Sequence, residues 1–257
     1  MKTLYFESTT ALKFDSPVYN HHFLLRILPP SFAGQRIVSA TLELSPQVQC
    51  ALSCDGFGNM DQVGCIKFPH TEFVYSVKGI AKISDDERQP ERLHPIFKHP
   101  STFTRTNHRM KEFLDNLNLS GTDLEKSMAL CDAVFNHMIY TPGATSTQTT
   151  AIEAFELGKG VCQDYAHVFI ALSRLAGIPA RYANGLPLGE GASHAWTEVY
   201  VDKMWIGIDP THNRLVAESY IRFCIGRDFQ DSALERGVFF GKSNQTQTTF
   251  TQVVEKG

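Results

Sequence analysis

The stretch from Gly158 to Pro210 decides how this chain folds. Its motifs are GKGVCQDYAH at 158–167, SHAW at 193–196 and IDP at 208–210. Cys162 follows two glycines and begins an apolar segment that is typical of a buried helix. His194 begins, and Asp209 ends, two successive segments that predict strands. A helix N-terminus beside two neighbouring strands can bring a thiol, an imidazole and a carboxylate together, as nucleophilic cysteine catalysis requires.

Cys162 is the predicted nucleophile of such a site. The thiolate is the reactive form of cysteine, and a free thiol is mostly protonated at neutral pH. Unsatisfied N–H groups and partial positive charge at a helix N-terminus favour the anion, and an adjacent protonated histidine favours it further. In this interpretation His194 protonates the leaving amine, and Asp209 holds the imidazole in the required tautomer.

Each of these three residues also has a structural interpretation when it is taken singly. A lone cysteine is usually a small buried hydrophobe, and a histidine beside a tryptophan can belong to a core. An aspartate before a proline is common turn chemistry. The order of the three residues on consecutive predicted elements favours catalysis over these separate explanations.

The motifs resemble those of the transglutaminase-like cysteine enzymes. The similarity is carried by GVCQDYA at 160–166, GIPARY at 177–182, SHAWTEVY at 193–200 and WIGIDPT at 205–211. It is closest to bacterial members classed as candidate cysteine proteases. It covers residues 100–240 well and the first hundred residues more loosely, through DGFGN at 55–59. By this resemblance, the family's nucleophile, base and orienting acid fall on Cys162, His194 and Asp209.

The nucleophile motif differs from that of the animal transglutaminases. Those enzymes carry Gln-Cys-Trp, whereas this chain has Val161-Cys162-Gln163. We therefore expect acyl transfer through a cysteine thioester, with water as the favoured acceptor, as in a protease or amidase. An amine acceptor, as in a transglutaminase, is the alternative. The expected partner is a peptide or protein that supplies the amide acyl donor, and no cofactor is expected.

Three further residues are candidates for substrate binding or for the oxyanion hole: Gln163, Trp196 and Asn213. Gln163 follows the predicted nucleophile, Trp196 lies two residues after His194, and Asn213 lies in a polar stretch after Asp209. An oxyanion hole needs donors aimed at the developing charge, and the backbone N–H of Cys162 is one candidate donor.

Composition and charge exclude several other classes of function. The 257 residues carry a net charge of −3 with no basic stripe, so no nucleic-acid partner is expected. No apolar run reaches membrane-spanning length, and the N-terminal MKTLYFE turns polar too early for a signal peptide. We therefore expect a cytoplasmic protein without a membrane partner. The oligomeric state stays open.

A metal site is a further hypothesis for the cysteines of the N-terminal region. Cys50, Cys54 and Cys65 could supply three zinc ligands, with His70 as a fourth. Their spacing, C-x3-C-x10-C, does not match the common paired zinc patterns. We therefore expect reduced thiols and no metal. A metal-dependent hydrolase is one rival class, and a catalytically silent binding module with this fold is the other.

The predicted architecture is α+β with two domains. Residues 1–85 are expected to form a small β-sandwich, because 37–44 and 72–78 alternate and the DGFGN turn lies between them. The charged, proline-punctuated segment 86–104 is expected to be a linker. Residues 105–257 are expected to form a papain-like catalytic domain. Its central helix, beginning at Cys162, packs on an antiparallel sheet that carries His194 and Asp209.

Two capping boxes predict the helices that lead up to this central helix. Thr122 precedes Glu125 by three residues, and Thr150 precedes Glu153 in the same way. In such a box the threonine hydroxyl and the glutamate carboxylate each bind a backbone N–H of the other residue. The second helix is expected to end at Gly158.

Overall fold

The structure, a computed structural model, describes residues 1–256. Its strands are β1 Lys2–Leu25, β2 Gln35–Ser45, β3 Cys50–Cys54, β4 Met60–Ile66, β5 His70–Ile83, β6 Ile139–Tyr140, β7 Lys159–Gly160, β8 Ala180–Pro187, β9 Gly189–Gly191, β10 His194–Val201, β11 Met204–Asp209, β12 Arg214–Leu215, β13 Tyr220–Gly226, β14 Glu235–Phe240 and β15 Gln245–Glu255. Its α-helices are α1 His108–Asn116, α2 Asp123–His137, α3 Ala151–Leu157, α4 Cys162–Leu175 and α5 Phe229–Ser232.

The N-terminal region is built around one strand, β1, which spans 24 residues. Its first half lies between β5 and β15, in a layer of strand order β2-β5-β1-β15-β9. Its second half lies between β4 and β14, and β4 also pairs with β3. The pairing of β1 with β5 shifts register between Lys13 and Val18, where β1 passes from one layer to the other. The two layers therefore share a strand.

Alternating apolar side chains of these strands form the first core. Leu4, Phe6, Leu12 and Phe14 of β1 are buried, as is Phe73 of β5. The same core also receives side chains from β8 and β13 of the second sheet. The N-terminal layers therefore pack directly on the sheet that carries the candidate site.

The C-terminal strands do not remain with the segment 105–257 in which they were expected. β15 pairs antiparallel with β1 from Leu4↔Glu255 to Phe14↔Gln245, and β14 pairs with the second half of β1. This differs from the predicted division because a strand's partner depends on long-range pairing, which its own sequence does not encode locally.

The segment 86–104, which was expected to be a linker, packs against the rest of the chain. Phe97 and Phe103 are buried, and the Phe103 carbonyl accepts the N–H of Ala151 at 2.8 Å. The carbonyl of Phe97 also accepts a hydrogen bond from the Arg174 side chain at 3.2 Å. This segment therefore packs into the core and does not form the exposed linker that was expected between the two predicted domains.

The second region places α4 at its centre. One side of α4 packs on the antiparallel sheet of strand order β12-β11-β10-β8-β13, and the others pack on α2 and α3. Val168, Phe169, Ile170 and Leu172 are all fully buried, which explains why α4 is apolar on most of its sides. The expected papain-like core of a central helix on an antiparallel sheet is confirmed.

Both predicted capping boxes are confirmed. Glu125 Oε2 accepts the Thr122 N–H at 2.7 Å, and Glu153 Oε2 accepts the Thr150 N–H at 2.8 Å. α3 ends at Gly158, whose φ of +62° is the left-handed conformation that glycine adopts without strain. The longest helix, α2, has 15 residues, and no helix within residues 1–256 is long and apolar enough to span a membrane.

A buried charge cluster ties together three neighbouring strands of the second sheet. Glu198 of β10 binds Arg181 of β8 at 2.6 Å and Arg222 of β13 at 2.9 Å. The Arg181 guanidinium lies 4.0 Å from the centre of the Trp205 ring. Burial alone disfavours the Glu198 anion, but the two arginines outweigh it and hold the pKa of Glu198 at about 2.

Replacing Glu198 by glutamine should destabilise the fold by about 3–5 kcal/mol at pH 7, because buried Arg222 loses its counter-charge and buried Arg181 keeps only the more exposed Glu91. The ordinary pKa of a glutamate is about 4.3, so the contribution is complete above that pH and is lost as the pH falls toward 2. Urea unfolding of both proteins between pH 7 and pH 2.5 should therefore show the difference shrinking with acid.

The matched control is Glu43→Gln, which removes a charge from the exposed Glu43–Lys78 pair at 3.0 Å. Exposed pairs contribute about 0–1 kcal/mol, so this variant should stay close to the parent at every pH. Equal effects of the two substitutions would contradict the structural role assigned to the buried cluster.

Candidate active site

Cys162 lies at the first turn of α4, and the loop before it is held by one carboxylate. Asp164 Oδ2 accepts the Val161 N–H at 2.8 Å and the Thr145 hydroxyl at 2.6 Å. A Cβ on Gly160 would lie 2.5 Å from the Asp164 Cβ, so only glycine allows this approach. Cys162 itself is half-buried. Its thiol is therefore placed by a fixed turn at a helix N-terminus.

His194 stands at the start of β10, between Cys162 and Asp209. Its Nε2 lies 2.8 Å from Asp209 Oδ2, and Cys162 lies close enough to contribute to the raised pKa of the imidazole. With Nε2 engaged by Asp209, Nδ1 is the ring nitrogen left for the thiol. Burial disfavours the charged imidazole, but the hydrogen bonds and charges of Asp209 and Cys162 outweigh it and raise the pKa of His194 to about 9.

Asp209 is the most enclosed group of the site, with 0% of the residue exposed. Its Oδ2 accepts hydrogen bonds from His194, from His212 Nδ1 at 2.8 Å and from the Tyr220 hydroxyl at 2.8 Å. Its Oδ1 accepts the backbone N–H of Thr211 at 3.0 Å. Burial opposes ionisation, but His194, His212 and Tyr220 together hold the pKa of Asp209 well below its ordinary range. Asp209 is therefore an anion surrounded by donors.

Tyr220 and His212 are parts of the site that sequence analysis did not single out. Arg214 Nη2 donates to the Tyr220 oxygen at 2.6 Å. A guanidinium can only donate, so the Tyr220 proton is directed to Asp209. His212 follows Asp209 by three residues, a spacing within one turn that offered a local signal. Tyr220 comes from another strand, β13, and no local pattern marks it.

The predicted site residues fall into two groups. Cys162, His194 and Asp209 are brought together. Gln163 is adjacent to Cys162, but its Nε2 donates to the Thr147 carbonyl at 3.3 Å. The other two expected substrate-binding or oxyanion residues, Trp196 and Asn213, are placed elsewhere.

Trp196 and Asn213 have structural partners that correct the earlier expectation. Trp196 is 1% exposed and packs edge-on against Tyr220 with ring centres 5.3 Å apart, so it lies behind Asp209 and is closed to substrate. Asn213 Nδ2 donates to Asp132 Oδ1 at 2.8 Å, which ties it to α2. Ala195 and Val199 of β10 face the core around α4, so alternation places Trp196 on the opposite face of the sheet, where Tyr220 packs.

His194, Asp209 and His212 are also the group that could hold a metal ion. Their ligand atoms lie within 4.8 Å of one another, and within residues 1–256 no other such group of three is formed. Nitrogen and carboxylate ligands suit zinc, and a metal here would replace the hydrogen bonds to Asp209. The cysteines at 50, 54 and 65 with His70 do not form such a group in the described part of the chain.

The architecture and this cluster define a papain-like α+β fold with a cysteine at the start of its central helix. Residues 111–210 match the family model of the transglutaminase-like superfamily. Residues 6–82 match the model of the bacterial transglutaminase-like N-terminal region. The chain belongs to the transglutaminase-like superfamily.

Known proteins are similar to this chain over part or nearly all of its length. An uncharacterized protein of Mycobacterium leprae is 24% identical over 257 residues, which cover 91% of this chain and 92% of that protein. An uncharacterized protein of Mycobacterium tuberculosis is 31% identical over 133 residues, or 46% of this chain and 42% of its own length. The crystal structure of a candidate cysteine protease from Cytophaga hutchinsonii is 23% identical, with a TM-score of 0.82 over 99% of this chain and 90% of that one. The last comparison shows the same fold through both regions.

At pH 6, chloroacetamide should alkylate Cys162 faster than the other five cysteines, because protonated His194 stabilises its thiolate. Burial raises the pKa of the Cys131 thiol to about 12 and protects it further. His194→Ala should slow the labelling of Cys162 by about tenfold or more. Peptide mapping by mass spectrometry reads all six sites in one experiment.

Exposed Cys54 is the internal control. It lies on β3, more than a hundred residues before Cys162 in the sequence, and it should be labelled equally in the parent and in His194→Ala. Labelling of Cys162 at the same rate as Cys54, or a Cys162 labelling rate that is unchanged in His194→Ala, would contradict the thiolate–imidazolium pair.

Proposed function

We propose that the chain is a thiol-dependent acyl-transfer enzyme that acts on amide or peptide bonds, with hydrolysis as the favoured outcome. The observation that carries this proposal is the position of His194, whose Nε2 lies 2.8 Å from the fully buried Asp209 carboxylate and whose pKa is raised by both Asp209 and Cys162. A histidine between a thiol and a carboxylate is the general arrangement of an activated cysteine nucleophile.

In the first step the Cys162 thiolate attacks the carbonyl carbon of the amide. The carbon–nitrogen bond breaks as the His194 imidazolium gives its proton to the leaving amine. The products of this step are a thioester on Cys162, a free amine and neutral His194. The raised pKa of His194, about 9, means that the required proton is present at neutral pH.

In the second step His194 acts as the base. It takes a proton from water while the water oxygen attacks the thioester carbonyl, and the Cys162 thiolate leaves with the acid product released. His194 is then an imidazolium again, and the site is restored. Asp209 stays an anion throughout, and its role is to orient and stabilise His194.

The developing oxyanion needs donors at the N-terminus of α4. The Cys162 N–H belongs to the first helical turn, where no intrahelical partner exists, and it is the first donor we assign. Gln163 is the second candidate, because its amide lies next to the nucleophile and its bond to Thr147 is long at 3.3 Å. Water is the favoured acceptor because Val161-Cys162-Gln163 departs from the motif of the cross-linking enzymes.

The direct test uses p-nitrophenyl acetate, whose acyl group should appear on Cys162 as a thioester and then be lost to water. We expect a burst of p-nitrophenol, an acetylated Cys162 peptide in rapidly quenched samples, and slow turnover. Cys162→Ala should abolish the burst and keep its melting temperature close to that of the parent, because alanine is a good helix former.

Adding methylamine separates the two acceptors. If the proposal is correct, acetate remains the main product, whereas a transglutaminase produces mainly N-methylacetamide. A burst of equal size in Cys162→Ala would end the proposal, and a silent binding module would show no acetyl-Cys162 in the parent protein.

A further inference from the structure

A cavity of about 420 Å³ lies beside the candidate active site, between the N-terminal strands and the second sheet. Two lining residues are next to residues of the candidate site. Ser193 directly precedes His194 in the chain, and the Thr147 carbonyl accepts the hydrogen bond of Gln163. The opposite wall carries Thr10 of β1 and Thr249 of β15. The cavity is therefore adjacent to the candidate active site and is flanked by strands from both ends of the chain. Its volume is within the range of small-ligand clefts.

Glu235, at the start of β14, is the anion of this cavity. The Tyr75 hydroxyl donates to its Oε2 at 2.9 Å. Within residues 1–256 no cationic side chain lies within 4.0 Å of this carboxylate, the limit for an ion pair. Most other partly buried acids of the molecule have a cationic partner at that distance. Burial raises the pKa of Glu235, and the Tyr75 hydrogen bond counteracts it. A half-buried carboxylate without a counter-charge is costly, so a cation entering the cavity would stabilise it.

Arg236 also lines the cavity but is directed elsewhere. Adjacent residues on a strand point to opposite faces, and Arg236 Nη2 donates to the Gln230 carbonyl at 2.8 Å. The remaining lining residues are neutral. The charge of Glu235 is therefore the one that faces an entering group.

Asn184 places the cavity next to the candidate active site. It lies on β8 directly opposite Ala195, the residue after His194, and it is 6% exposed. It lines the cavity, but its Oδ1 is buried beneath the cavity surface and has no hydrogen-bond partner in the described part of the chain. Asn184 therefore connects the wall of the cavity to the strand of His194, and Glu235 is the group that an entering cation would meet.

We propose that this cavity binds a lysine-like basic side chain of the peptide substrate, with Glu235 pairing its charge. The inference rests on the proposed function, because it names the substrate class of the same site. An ammonium group carries three donors and one positive charge, which matches the Glu235 carboxylate in a cavity whose other lining side chains are mostly neutral. The N-terminal strands then have a role in specificity, since β1 and β5 supply Thr10 and Tyr75.

The experiment compares two sets of synthetic decapeptides built on alanine and glutamine. In one set a single lysine occupies each position in turn, and in the other norleucine replaces it, so that length and apolar area are kept. Cleavage is mapped by mass spectrometry and kcat/KM is measured for the parent protein and for Glu235→Gln. We expect one position near the cleaved bond to prefer lysine by about 10- to 100-fold, as removal of one partner of a buried charge pair normally costs.

Glu235→Gln should lose this preference, so that its kcat/KM values for the lysine and norleucine peptides agree within about threefold. Glu235→Asp, which keeps the charge, should retain part of the preference. Glu190→Gln is the matched control, because Glu190 is an exposed glutamate on β9 outside the cavity lining, and it should behave as the parent. Equal use of lysine and norleucine by the parent, or a lysine preference that survives Glu235→Gln, would overturn the proposal.

A binding measurement separates this proposal from the proposed function. Nα-acetyl-lysine methylamide is titrated into Cys162→Ala and into the Cys162→Ala, Glu235→Gln double variant, with the norleucine analogue as control. Glu235-dependent binding of the lysine compound without turnover of any peptide would support the lysine site and contradict the proposed hydrolase activity. Peptide turnover with no Glu235-dependent binding would support the hydrolase and overturn the lysine site, because the cavity would then hold only ordered water.

Discussion

The hydrogen bond between His194 and the buried Asp209 carboxylate is the interaction on which the candidate site depends. A carboxylate with no exposed surface remains ionised only when donors surround it, and Asp209 has donors from His194, His212, Tyr220 and the backbone after β11. These donors fix the carboxylate, and the fixed carboxylate in turn holds His194 charged and oriented toward Cys162. Loss of any one donor would weaken the anion and, through it, the imidazolium.

The second sheet and α4 turn this pair into a preorganised site. Glu198 joins β8, β10 and β13 through buried arginines, so the strand that begins with His194 is held on one side by charge as well as by backbone hydrogen bonds. Asp164 holds the turn before Cys162, and the fully buried middle of α4 prevents the helix from shifting. The groups of the candidate site therefore lie on rigid elements, which is where the proposed catalysis would need them.

Local sequence patterns predicted the ends of helices and strands, which depend on neighbouring residues in the chain. The threonine–glutamate spacing located the starts of α2 and α3, and the motifs around Cys162, His194 and Asp209 predicted the helix and strand ends that meet. Pairing over long separations was beyond such patterns: nothing in 245–255 indicates that it lies against β1. Tyr220 and Trp196 show the same limit, because Tyr220 owes its role to bonds with Asp209 and Arg214, and Trp196 owes its burial to packing against Tyr220. Hydrogen-bond roles set by neighbours from distant strands cannot be deduced from residue type alone.

The charge state of His194 is the quantity that tests this account most directly. Long-range proton–nitrogen correlation spectra of protein labelled with ¹⁵N in histidine report the protonation of each ring. We predict that His194 gives imidazolium signals at neutral pH and titrates near pH 9. Asp209→Asn should lower that pKa, since the imidazolium loses its anionic partner, whereas the surface variant Asp132→Asn should leave it unchanged. A neutral His194 at pH 7 in the parent protein, or a titration that Asp209→Asn does not move, would contradict the central role given to the Asp209 carboxylate.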